Sequence, residues 1–313
     1  MKQEKLDKLK QKLTELSYLN SANALLHWDQ EVNMPRGATE ARSKTSSNLS
    51  KLIHEKILSD DFSELIESAK KALDEDQLDK KDSAIVREAY REYEREAKLP
   101  ADFVEELTKT TSKAKEAWKE AKEKQDFSVF QPYLEQIVEL KREEADLVGY
   151  EGTPYNALLD VYEPYFSSEK LDSILEQLKD FLVPFLDQIK NSEVEINSEF
   201  TKQEFSVDRQ KNFCSKVVKT MGFDKEQGLL DESVHPFTIG LHPTDVRLTS
   251  RFNSDKLLKS ITASIHEAGH ALYEQGLPEK NFGTPLAEPA SVGIHESQSR
   301  IWELKIGQSK EFW

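Results

Sequence analysis

Residues 254–276 read SDKLLKSITASIHEAGHALYEQG. Leu258, Ile261, Ile265, Ala268 and Leu272 recur at three- and four-residue intervals, the apolar stripe of an amphipathic helix. The spacing predicts a helix over 254–275. Asn253 or Ser254 can cap its start, Gly276 can end it, and Pro278 follows. Inside it stands His266-Glu267-Ala268-Gly269-His270. Four residues turn a helix by about 400°, so both imidazoles leave one face a turn apart. That is how two ring nitrogens reach one metal ion at about 2.0–2.1 Å. Glu267, one residue along, sits beside such an ion and is better placed to take a proton from the attacking water than to ligate. Gly269 weakens a helix but lets another backbone or a ligand come close. A chance string of this kind in a chain of this composition is a roughly 1–2% event.

A catalytic metal of this type needs a third protein ligand and an open position. His295-Glu296-Ser297-Gln298 supplies candidates on the next expected helix, from about Ala290 to Leu304, after a loop containing Gly283 and Pro285. Two helices joined in this way can face one metal from opposite sides. Either His295 or Glu296 has a suitable donor. A third histidine of the extended zincin pattern would fall at position 276, which is Gly276, so a carboxylate third ligand, Glu296, is favoured.

Outward from this centre the chain reads as mainly α. Its 313 residues include only 11 Gly and 11 Pro, so chain breakers are scarce among abundant Glu, Lys, Leu and Ala. Leu6, Leu9, Leu13 and Leu16 mark a first amphipathic helix, and residues 20–39 interrupt the pattern with Asn20, Asn33, Pro35 and Gly37. Helical periodicity returns over 40–58, 61–78, 80–98, 101–125, 127–148, 155–162, 168–191 and 206–221. The interleaved Arg and Glu of 81–98 read as a solvated face laced with short-range ion pairs. One region reads as extended: Phe237, Ile239 and Leu241, then Val246 and Leu248, alternate with polar residues or Gly around Pro243. That predicts a short antiparallel pair at a sheet edge. The polar stretch 192–203 divides the chain into a helical part, 1–200, and a metal-binding part, 201–313.

Composition excludes several function classes. With 43 Lys+Arg against 58 Asp+Glu, the net charge of −15 argues against binding nucleic acid or an anionic membrane. Cys214 is the lone cysteine, so neither an intrachain disulfide nor a cysteine metal cluster can form, and a buried structural thiol is expected. Met1–Leu16 lacks a signal-peptide core and no run reaches a membrane span, so a cytoplasmic location is expected. No Gly-x-Ser-x-Gly elbow or phosphate loop occurs. His27 and Trp28 read as packing residues and His54 as a surface residue.

Taken together, His266 to His270, His295-Glu296-Ser297-Gln298, His235-Pro236-Phe237, Asp245-Val246-Arg247-Leu248-Thr249, Trp28-Asp29-Gln30 and Met34-Pro35-Arg36-Gly37-Ala38 occur in one characteristic order. In these motifs, from about residue 5 to its end, the chain resembles the bacterial M32 metallocarboxypeptidases, the carboxypeptidase Taq type. The resemblance implies a mainly α, gluzincin-like zinc-peptidase fold with a central groove and a small antiparallel β element. It implies homodimers that remove C-terminal residues stepwise from peptides with broad specificity. It also matches His266, His270 and Glu296 to the zinc ligands and Glu267 to the catalytic base. Zinc is the expected metal, with Co2+ or Mn2+ as substitutes. His235 and Arg247 become candidate substrate contacts, as does His242 in the same extended segment. Relatives of this type continue through later motifs, one with an Ile-Arg pair and one with Gln-Asp-x-His-Trp. Residues 1–313 are therefore expected to be a C-terminally truncated catalytic domain that hydrolyses peptides poorly alone. Two other readings compete: an endo-acting helical zinc oligopeptidase, and a non-catalytic helical scaffold with a structural metal.

Overall fold

The first helix, α1 (Gln3–Val32), continues through the first part of the segment whose composition interrupts the leucine pattern, residues 20–32, and ends before Asn33, Pro35 and Gly37, where the chain does break. Tertiary partners override weak local propensity there. The Ser21 hydroxyl bonds to the Ser17 carbonyl and to that of Leu241, and Gln30 Nε2 donates to the Ser112 carbonyl at 3.1 Å. Trp28 is buried with its ring centroid 5.4 Å from that of Phe237, the packing role expected of it. The computed structural model describes residues 3–195 and 197–313.

Among the described residues, eight further α-helices precede the sheet: α2 (Thr39–Ile57), α3 (Asp60–Asp74), α4 (Lys80–Glu96), α5 (Ala101–Lys124), α6 (Gln131–Val148), α7 (Pro154–Tyr162), α8 (Ser168–Lys190) and α9 (Val207–Met221). Ser59, Asp79, Ser167 and Ser206 cap four of them by accepting from the backbone N–H three residues on. Leu6, Leu9, Leu16, Ile53, Phe62 and Ile66 join α1, α2 and α3 in one apolar core. Small buried residues, Ser43 and Ser47 on α2 with Ala114, Ala117 and Ala121 on α5, line the most extensive helix pair.

Two expectations about this half need correction. His54 is not on the surface: it is 2% exposed, with Nδ1 2.9 Å from Glu96 Oε2 and Nε2 2.8 Å from the Leu99 carbonyl. The Arg/Glu run of α4 is not only a solvated face. Arg91 reaches Asp160 Oδ2 at 2.7 Å, and Arg95 pairs with the buried Glu144 of α6. Burial opposes ionisation of Glu144, but hydrogen bonds from Lys141 and Arg95 outweigh it and hold the carboxyl below its usual range.

Three strands follow: β1 (Gly228–Glu232), β2 (Thr238–His242) and β3 (Asp245–Ser250), in the order β1-β3-β2. The antiparallel pair is β2 with β3, and β2 lies at the edge. β1 was not expected. It lies parallel to β3, with Gly228 opposite Val246, so the sheet is mixed. Its Gly-Leu-Leu-Asp-Glu sequence shows no alternation, which hid it.

The long helix α10 (Leu257–Gln275) packs on the sheet and on α9. Val218, Phe223, Val246, Leu248, Ala268 and Ala271 form the shared core, and Cys214 is buried beside Ile261 and Ile265. α10 begins later than expected because Asn253 and Ser254 are otherwise engaged. Their carbonyls accept from Gln210 Nε2 at 2.9 Å and from the Phe205 N–H at 2.8 Å. The last helix, α11 (Val292–Arg300), is capped by Ser291 and runs directly into a π-helical turn, Ile301–Ile306.

Candidate active site and metal centre

His266 and His270 leave α10 on one face, with ring centroids 5.0 Å apart. What brings a third donor to them is Gly269. A Cβ there would lie 2.6 Å from Ser299 Cα and 3.1 Å from the Gln298 carbonyl, so only glycine lets α11 seat against α10. That contact carries Glu296 Oε2 to 3.4 Å from His266 Nε2 and 3.0 Å from His270 Nε2. One donor atom from each of the three residues lies within 4.8 Å of the others. Two imidazole nitrogens and one carboxylate oxygen, all half-buried, suit a zinc-type ion with a position left open.

The electrostatics favour ligation. Burial, and then the neighbouring rings of His295 and His266, push His270 down to about 4, so its ring is neutral at pH 7, as a ligand must be. Burial works against ionisation of Glu296, yet the charge of His266, the hydrogen bond from Arg300 and the charge of His270 outweigh it and hold its carboxyl below the usual range. Glu267 behaves differently. It is buried, and burial raises its pKa against the opposing hydrogen bond from Thr238 and the charges of His266 and His235. Thr238 Oγ1 lies 2.8 Å from Glu267 Oε2 and 2.9 Å from the Glu267 carbonyl.

The other sequence candidates are placed less uniformly. His235, ahead of β2, is exposed and close enough for its charge to act on Glu267. Arg247 is not brought to this cluster. Thr238 and Gly240 of β2 and Val246 and Leu248 of β3 face α10, so Arg247 projects from the opposite face by strand alternation. Its guanidinium stands 5.9 Å over the Trp28 ring and donates twice to Asp245, each at 2.9 Å. His242 packs its ring 4.3 Å from that of Phe282. His295 stacks on His270 at 4.4 Å, with Nε2 3.0 Å from Glu274 Oε1. It also lines a cavity of about 780 Å³ walled by Glu88, Arg91, Glu163, Tyr165 and Glu288.

Sequence reasoning missed Thr238 and Glu303, the latter 2.8 Å from His266 Nδ1. Glu303 had a signal, since seven residues after Glu296 returns to the same helix face. Thr238 had none, because its role depends on which strand packs against α10.

Gly269 yields a test. Gly269→Ala suits an isolated helix, by about 1 kcal/mol, yet its Cβ would displace α11. The expected outcome is a tenfold or greater loss of zinc affinity by chelator competition, with helical content by circular dichroism retained. Undiminished affinity would mean that α11 does not deliver the third donor.

The profile of the carboxypeptidase Taq (M32) metallopeptidases matches residues 8–313. Carboxypeptidase 1 of Bacillus subtilis is 38% identical over 301 residues, covering 96% of this chain and 60% of that protein. Thermostable carboxypeptidase 1 of Pyrococcus furiosus is 38% identical over 296 residues, covering 94% and 59%. A solved structure of a Pyrococcus furiosus carboxypeptidase superposes with a TM-score of 0.87 at 36% identity, covering all of this chain and 63% of that one. The Trypanosoma cruzi metallocarboxypeptidase 1 gives 0.83 at 34%, covering 98% and 62%. The chain thus spans about 60% of the length of the curated relatives it matches. With the His266/His270/Glu296 cluster standing on this fold, the chain belongs to the M32 family of carboxypeptidase Taq metallopeptidases.

Proposed function

We propose that this chain carries the hydrolytic centre of a zinc-dependent carboxypeptidase that removes C-terminal residues from peptides with broad specificity. The observation that carries the reading is the convergence of His266, His270 and Glu296 beside a buried carboxylate, Glu267. These three residues would hold the metal, zinc or in its place Co2+ or Mn2+. A divalent ion there supplies Lewis acidity and brings the pKa of water toward about 7. Glu267 takes a proton from the attacking water and returns it to the leaving amine. Burial raises its pKa in the metal-free protein, and Thr238 fixes its orientation. His235, beside Glu267, is the substrate contact this geometry favours. β2, at the sheet edge, offers backbone groups to an extended peptide.

Homodimerisation in the cytoplasm completes the reading. Support for self-association comes from α8, which has no buried residue and exposes Ile174, Leu178, Phe181, Phe185 and Ile189. The lone Cys214 suits a reducing compartment. Among the described residues no helix is long and apolar enough to cross a membrane.

The deciding experiment incubates the metal-loaded protein with an unblocked peptide and its C-terminally amidated twin, followed by mass spectrometry. A slow ladder from the free C-terminus, with the twin intact, is expected, in keeping with the poor hydrolysis expected of residues 1–313 alone. Internal cuts in both would replace this reading with an endopeptidase. No cleavage of either by protein that retains its metal would favour a structural metal.

A further inference from the structure

The residues just outside the metal cluster form a connected set. Glu303 is 17% exposed at its side chain, and its Oε2 lies 2.8 Å from His266 Nδ1. A carboxylate at Nδ1 keeps the proton on that nitrogen and leaves the lone pair on Nε2, the atom that faces Glu296 and His270. Arg300 donates from Nε to Glu296 Oε1 at 2.7 Å and from Nη1 to Glu303 Oε2 at 2.9 Å. Glu296 therefore has one oxygen occupied by the guanidinium and the other, Oε2, turned toward the two imidazoles.

We infer that Glu303 and Arg300 decide which atoms meet the metal: Glu303 fixes His266 as an Nε2 ligand, and Arg300 holds Glu296 to a single ligating oxygen. The inference rests on the metal reading above and deepens it. Spacings of four and seven put 296, 300 and 303 on one helix face. The π-helical turn Ile301–Ile306 carries Glu303, and its Gly307 N–H bonds to the Trp302 carbonyl at 2.7 Å. A Cβ on Gly307 would lie 2.9 Å from Ile265 Cδ1, so the wide turn is seated against α10 beside His266. Such turns recur at functional sites. An ordinary helix-surface ion pair would account for Arg300 with Glu296 or with Glu303. It does not account for a shielded Glu303 directed at an imidazole 37 residues earlier in the chain.

The test uses the full chain and reads metal, not turnover. Zinc affinity is measured by competition with a chromophoric chelator, and the visible spectrum of the Co2+-loaded protein reports coordination number. Glu303→Gln keeps shape but loses charge, and should weaken zinc binding by about 10- to 100-fold without changing the cobalt coordination number. Arg300→Gln frees Glu296 Oε1, so the cobalt bands should weaken as coordination number rises, and Arg300→Lys should restore them. Metal-free parent and variants should unfold together by circular dichroism. Should Glu303→Gln not fold, Glu303→Asp, with its shorter reach, gives the same readout. Zinc affinity of the Glu303 variant within about twofold of the parent overturns the first half, and a cobalt spectrum unmoved by Arg300→Gln overturns the second. A parent that binds neither metal defeats the underlying metal reading instead, which is a distinguishable failure.

Discussion

Glu267→Gln is expected to lower turnover by about 10² or more in metal-loaded protein while leaving metal content intact. The amide matches the carboxylate in size and can still accept the Thr238 hydroxyl, so the packing around it is kept. What it cannot do is accept a proton. The proposed metal donors, His266, His270 and Glu296, are separate residues, so metal content should be untouched. A second readout guards against a folding artefact. Burial raises the Glu267 pKa, meaning that the native state binds its proton more tightly than the unfolded chain does. Above the ordinary carboxylate range that difference works against the fold, so removing the charge should leave the metal-free variant at least as stable as its parent at pH 7. The checks are kcat on an unblocked peptide, metal by elemental analysis, and the unfolding midpoint. Comparable kcat at equal metal content would remove Glu267 from the mechanism.

The fold and the centre were unequally legible in the sequence, for physical reasons. α10 was legible because its apolar stripe and its two histidines obey the same helical period. Its start was not, because Asn253 and Ser254 look like caps by residue type but spend their carbonyls on Gln210 and Phe205. Residues 20–32 misled for a related reason: Asn20 and its neighbours weaken a helix locally, while Trp28, Gln30 and Ser21 hold it through contacts in distant elements. The pairing of β2 with β3 followed from alternation and Pro243, whereas β1 carried no pattern at all. Within the candidate site, motif spacing pointed to the helices bearing the donors. Gly276 already favoured Glu296 over His295, but that Glu296 Oε2 turns toward both imidazoles depends on the α10–α11 contact at Gly269, and that Arg247 leaves the sheet on the face away from α10 depends on the sheet's sidedness. Side-chain direction across two packed elements is a tertiary property that no local period encodes.

That contact makes ligand identity measurable. His270→Ala should abolish the stabilisation that zinc gives the parent. A ligand at a hundredfold excess over its dissociation constant stabilises the native state by about 2.7 kcal/mol, so the parent's unfolding midpoint should rise on adding zinc while that of His270→Ala should not. The alanine also removes the ring that stacks on His295, so some loss of metal-free stability is expected and must be measured separately. Comparing each variant with and without zinc isolates the metal term. Glu296→Ala should lose the zinc-dependent rise as well, since Oε2 is the one carboxylate oxygen 3.0 Å from His270 Nε2. His295→Ala should keep it, because His295 meets the cluster through ring stacking and faces Glu274 with its Nε2. The opposite pattern, a rise kept by Glu296→Ala and lost by His295→Ala, would reassign the third ligand to His295 and require α11 to turn its other edge toward the ion.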